Sequence, residues 1–181
     1  LAVALGLWVG VGGAVGLAQV RDLDGRPVDP LERAADVKAV VLVFTSIECP
    51  ISNRYAPDIR RLYEKFAADG VRFWLIFANP ADSPEAIRAH VKAFGYPTRV
   101  LRDPRQDLVR LTQVTVTPEV AVFDRRGTIV YRGRIDDRYV DLGVDRVWHR
   151  VKSLTDRLVE GVRAKGYRVV SSREAGEESG I

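Results

Sequence analysis

The chain of 181 residues is 46% hydrophobic and 29% charged, the proportions of a globular domain long enough to bury a full core. Its net charge is only +4, with 28 Lys and Arg interleaved among 24 Asp and Glu, a pattern of mixed solvated surface that argues against a nucleic-acid partner. A single cysteine excludes an intramolecular disulfide, and His90 and His149, far apart in sequence, give no metal-ligand spacing.

Residues 1–18, LAVALGLWVGVGGAVGLA, carry no charge. They read as the apolar core of a secretory signal peptide, with Gly16 and Ala18 as small residues before a cleavage site. An uncleaved membrane anchor is the competing reading, since eighteen residues reach the lower limit for a span. The sequence holds no Met, so it is expected to begin after its true start, and the folded part is expected to be exported, periplasmic or otherwise extracytoplasmic. A folded domain is expected over residues 19–165, followed by a polar tail over 166–181.

Within that domain, Asp24-Gly25 between Val20/Leu23 and Val28 signals a short N-terminal hairpin. Val40 to Phe44, five consecutive apolar residues, read as a strand buried on both faces. After Cys49 and Pro50, apolar residues at Ile51, Tyr55, Ile59, Leu62 and Phe66 mark one face of a helix, kinked at Pro57 and ended by Gly70. Val71 to Phe77 is a second strand, with Phe73 and Trp74 expected in the core. Ser83-Pro84-Glu85 starts a helix that stops at Gly95. A short extended piece over 96–101 and a short helix from Pro104 to about Leu111 come next. Val114 to Asp124 is strand-like but interrupted by Pro118, which requires an edge, a bulge or a special turn there. Arg125-Arg126-Gly127 turns the chain into a return strand, Thr128 to Arg134. A charged loop at Asp136-Asp137-Arg138-Tyr139 and a last helix from Val144 to about Ala164 complete the order. His90 and His149 are expected on helix surfaces.

Cys49 stands where a buried strand hands over to a helix, with Pro50 suited to the first helical position. Backbone N–H groups and the helix dipole there favour the thiolate, the reactive form. The alternative is a buried, inert thiol. Glu48 next door would raise the thiol pKa and Arg54, a turn later, would lower it. Ser52 either donates a hydrogen bond to the thiolate or is an ordinary first-turn serine. Glu119 is either an exposed strand residue or a substrate contact.

The order of elements, Phe44 five residues before Cys49, Pro57 eight after it, and Thr117-Pro118 ahead of the hairpin together resemble the thioredoxin fold. The stretches CPISNRYAP, TVTPEVAVFD and YRGRIDDRY resemble an exported bacterial subgroup of the redoxins, in the alkyl hydroperoxide reductase/thiol-specific antioxidant and TlpA-like branch. The resemblance covers about residues 20–160. It implies an α/β sandwich whose mixed central sheet is flanked by helices. It also implies Cys49 as the catalytic residue, with Thr117-Pro118 as a cis-proline facing its sulfur. Two departures stand out. Ser52 occupies the place of the second thiol of a Cys-x-x-Cys dithiol. Leu42 and Ser46 occupy the proline and threonine places of the peroxidase motif Pro-x-x-x-Thr-x-x-Cys, and the tail offers no resolving thiol.

Three functions are compatible with these residues. The first is a monothiol redoxin exchanging disulfides through a mixed disulfide at Cys49. Its partners would be a disulfide-bearing protein or small disulfide and an external thiol reductant. The second is a one-Cys peroxidase with antioxidant activity, recycled by an outside thiol. The third is a non-catalytic binding module on the same scaffold. None of the three calls for a cofactor.

Overall fold

The apolar run from Val40 to Phe44 is buried because it forms the middle of a sheet. The computed structural model describes residues 20–32 and 34–136. In chain order the elements are β1 (Ala39–Thr45), α1 (Pro50–Arg54), α2 (Ala56–Phe66), β2 (Val71–Phe77), α3 (Pro84–Phe94), β3 (Arg99–Arg102), α4 (Asp107–Thr112), β4 (Glu119–Asp124) and β5 (Ile129–Gly133). The sheet order is β3-β2-β1-β4-β5. β1, β2 and β3 run parallel, and β4 is antiparallel to both β1 and β5. This is the mixed sheet with a closing antiparallel hairpin that the sequence implies.

Successive strand residues face opposite sides, so β1 feeds two cores. Val41 and Val43, with Phe73, Leu75 and Phe77, pack against Tyr55, Ala56, Ile59 and Ile87 of the helices. Val40, Leu42 and Phe44, with Trp74 and Ile76, pack on the other face against Val20, Leu108 and Val114. Burying each large apolar side chain contributes roughly 1.5–3 kcal/mol. A one-residue slip would exchange the two faces, so packing fixes the register. Trp74 satisfies its indole N–H by donating to the Pro30 carbonyl at 3.2 Å.

The N-terminal hairpin forms as a minimal turn, with the Val28 N–H donating to the Val20 carbonyl at 3.0 Å. Arg21 and Arg102 exchange backbone hydrogen bonds of 3.0 and 2.7 Å, which covers the outer edge of β3. Arg88 of α3 holds the hairpin from the side through the Leu23 carbonyl and the Asp24 carboxylate.

Three expectations are corrected. The helix after Cys49 is not one kinked helix but two, separated at Tyr55. Pro57 has no N–H for the Asn53 carbonyl, so the ladder stops rather than bends. The short helix begins at Asp107 and not at Pro104, because the buried Asp103 carboxylate accepts the N–H groups of Asp107, Leu108 and Val109 and so sets the start. His90 is not a surface residue. It is 7% exposed on the inner face of α3, with its ring against those of Phe77, Phe94 and Tyr96. His149, the last helix, most of the charged loop, residues 1–18 and the tail lie outside the described residues. Among the described residues no helix is long and apolar enough to cross a membrane.

Candidate active site

Because β1 and β4 are antiparallel neighbours, with Phe44 opposite Glu119, the end of one strand lies beside the start of the other. The chain leaving β1 after Thr45 is thereby brought against the chain entering β4 before Glu119. Cys49 and Thr117, 68 residues apart, meet there, with Cys49 Sγ 3.4 Å from the Thr117 carbonyl oxygen. The Thr117–Pro118 peptide is cis, with Pro118 buried and Thr117 exposed. Glu119, half-buried, is neither a plain exposed residue nor turned to the thiol. Its carboxylate accepts the N–H groups of Thr115 at 2.7 Å and Val116 at 3.4 Å, which shapes the loop ahead of the proline.

Cys49 is the N-cap of α1, and its sulfur accepts the Ser52 N–H at 3.5 Å. Pro50 fills the first helical position. The turn before the helix closes through the Cys49 N–H and the Ser46 carbonyl at 3.3 Å, so Ser46 enters the site by its backbone. Cys49 is half-buried, neither sealed in the core nor fully exposed.

Partial burial by itself would push the Cys49 thiol up. Hydrogen bonding from the Ser52 side chain and N–H, from the Thr117 side chain and from the Ile51 backbone outweighs this and holds the thiol below its ordinary value. The Ser52 hydroxyl is 1% exposed, and no described group meets its oxygen in ordinary hydrogen-bond geometry. Its influence is that of a nearby dipole, and the N–H is the better-defined contact. The principal influences are thus dipoles, not the charges of Glu48 and Arg54. Both of those side chains are exposed, and the charge of Glu48 acts on Asp82 instead. With only five residues in α1, the dipole of a long helix is not available to the thiol.

The sequence carries no sign of three further participants. Asn53 donates from its side chain to the Ile47 carbonyl at 3.4 Å, tying α1 to the loop before it. Thr45 and Tyr96 lie behind the thiol, and the Tyr96 hydroxyl donates to the Ser52 carbonyl at 3.3 Å. Tyr96 is separated from Ser52 by 44 residues and lies in a short loop, where no periodicity could have pointed to it. Among the described residues no three His, Cys, Asp or Glu side chains group closely enough to hold a metal ion.

The family model named Redoxin matches residues 15–143. No curated protein matches the sequence. Among solved structures, a conserved protein from Geobacillus kaustophilus is 29% identical with a TM-score of 0.60, over 71% of this chain and 70% of that one. A hypothetical protein from Sinorhizobium meliloti is 25% identical with a TM-score of 0.65, over 84% and 83%. A secreted Mycobacterium tuberculosis disulfide oxidoreductase is 22% identical with a TM-score of 0.54, over 80% and 93%, a likeness of fold. The sheet order and the flanking helices are those of a thioredoxin-like fold, and with the Redoxin model spanning most of its length the chain belongs to the redoxin family.

Proposed function

We propose that the protein is a monothiol thiol–disulfide oxidoreductase working through a mixed disulfide at Cys49. The observation that carries this reading is the sulfur of the half-buried Cys49 held between the Ser52 N–H and the Thr117 carbonyl, in a chain with no second cysteine. The Cys49 thiolate attacks one sulfur of a disulfide RS–SR′. A Cys49–S–S–R bond forms, the RS–SR′ bond breaks, and R′S⁻ leaves with the electron pair to take a proton from water. An external thiolate R″S⁻ then attacks the R sulfur, giving RS–SR″ and returning Cys49. The net change is exchange, which needs no second thiol in the chain.

The partners are a disulfide-bearing protein or small disulfide and a thiol reductant. The uncharged stretch over residues 1–18, read as a signal peptide or anchor ahead of a domain over 19–165, supports an extracytoplasmic setting. So does the likeness to a secreted disulfide oxidoreductase. A peroxidase is less well supported: Ser46 meets Cys49 through its carbonyl, and Leu42, fully buried in the sheet, stands where the peroxidase motif has proline.

Mass spectrometry of the reduced protein mixed with glutathione disulfide tests the reading. One glutathione should add to Cys49 and leave on addition of a thiol. Peroxide consumption without adduct formation would favour the peroxidase, and a thiol inert to both would leave the binding module.

A further inference from the structure

Helix α1 is too short to hold itself. Its five residues close few internal bonds, and the chain breaks at Tyr55, where Pro57 cannot extend the ladder. Yet the Ser52 N–H must point at Cys49 Sγ for the thiolate to be favoured. The Ser52 carbonyl is fixed by two bonds, one from the Tyr55 N–H at 3.1 Å and one from outside the helix, the Tyr96 hydroxyl at 3.3 Å.

We propose that Tyr96 is a positioning residue for the reactive thiol: its hydroxyl holds residue 52 so that the N–H of that residue faces Cys49. The inference rests on Cys49 being the reactive thiol. Tyr96 is itself well anchored. Its N–H donates to the Val91 carbonyl at 3.1 Å, its ring lies 6.1 Å from that of His90 at an interplanar angle of 28°, and it is 7% exposed. Burial, with the Cys49 charge adding to it and the Thr45 hydroxyl opposing, pushes the phenol up to about 12, so it stays a donor wherever the thiol titrates. Among the described residues, the titratable groups facing it are Cys49 on one side and His90 on the other. Asp82 acts on His90 from beyond, and Glu48 and Arg102 act on Asp82 in turn.

The test is the rate of Cys49 alkylation against pH in the wild-type protein, in Tyr96→Phe and in Tyr63→Phe, a control whose ring packs on Phe73 away from the thiol. Tyr96→Phe keeps the aromatic packing and removes only the donor. Its midpoint should rise by about half a pH unit, and its rate below the midpoint should fall about threefold, with an unchanged plateau at high pH. Tyr63→Phe should match the wild type. A Tyr96→Phe midpoint equal to the wild-type value overturns the proposal, whatever happens to the melting temperature. A wild-type midpoint at the ordinary thiol value is a different result, because it removes the functional reading itself. Should Tyr96→Phe not fold, the Tyr96 Cζ resonance of the wild-type protein decides. It should shift with the Cys49 midpoint and lose that step in Cys49→Ser, and a resonance indifferent to Cys49 overturns the proposal.

Discussion

At the scale of single residues, the site depends on how nearby dipoles, rather than the charges of Glu48 and Arg54, lower the pKa of the Cys49 thiol. Ser52 contributes twice, through its N–H and through a hydroxyl buried beside the thiol. Ser52→Ala removes the second contribution and leaves the first. The alkylation midpoint of Cys49 should therefore rise by a few tenths of a unit and still lie below the ordinary thiol value of about 8.5. A midpoint unmoved by the substitution would mean that the backbone N–H acts alone. Cys49 and Pro118 were legible in the sequence because each imposes a local rule: a thiol at a strand end, and a proline that restricts the backbone. Ser52 was legible as a departure from a dithiol pattern and as a candidate side-chain donor to the thiolate, but its backbone N–H was not. Tyr96 and Thr45 were not legible, because their places depend on contacts between distant parts of the chain, and the loop-shaping role of Glu119 was not, because its local bonds to Thr115 and Val116 follow no periodic pattern.

At the scale of elements, β1 and β2 were read well because both are dominated by apolar residues, and α3 because Ser83 and Gly95 mark both its ends, whereas β4 begins only at Glu119, after Pro118, not at Val114. The break between α1 and α2 and the late start of α4 were misread, since both turn on hydrogen bonds: one that Pro57 cannot make, and three that Asp103 does. Gly95 caps α3, whereas α2 ends at Phe66, capped by Ala67, and Gly70 lies in the turn beyond it rather than ending the helix as the sequence suggests. The two glycines also differ in what they allow. Gly70 has φ +83, and a Cβ there would lie 2.5 Å from the Asp36 carbonyl oxygen, which is backbone and cannot step aside. Gly95 has φ +61, and a Cβ there would meet the Arg60 guanidinium at 2.8 Å, the mobile end of a long side chain. Gly95→Ala should cost about 1 kcal/mol, the strain of the left-handed conformation alone, while Gly70→Ala should cost about 2–3 kcal/mol. Urea unfolding of the two variants measures this, and equal losses would show that the clash at Gly70 is relieved.

At the scale of the whole molecule, the buried His90 ties stability to pH. Burial foremost, against the opposing charge of Asp82, holds its imidazole below the ordinary histidine value. A depressed folded-state pKa means that the folded protein takes up this proton less readily than the unfolded chain. The contribution is present above about pH 6.5 and is lost as the pH falls through the folded-state value. Asp82, raised by burial and by Glu48, contributes with the opposite sign: its part is present at low pH and lost as pH rises. The urea midpoint of the wild type should therefore drop between about pH 7.5 and about pH 5.5, and His90→Phe, which keeps a ring among Phe77, Phe94 and Tyr96, should drop less. Parallel losses in the two proteins would place the acid sensitivity elsewhere. The sequence put His90 on the surface because one histidine on a helix carries no periodic signal. Its place is set by Ile87, three residues earlier on the same buried face.

The central claim is that this fold activates a lone thiol. It is tested most directly by the pH dependence of Cys49 alkylation in the folded wild-type protein, because the rate follows the thiolate fraction. The account predicts a single titration with its midpoint below about 8.5. A midpoint at or above that value, or no reaction until the protein is unfolded, would mean that burial outweighs the hydrogen bonds from Ser52 and Thr117, and would contradict it.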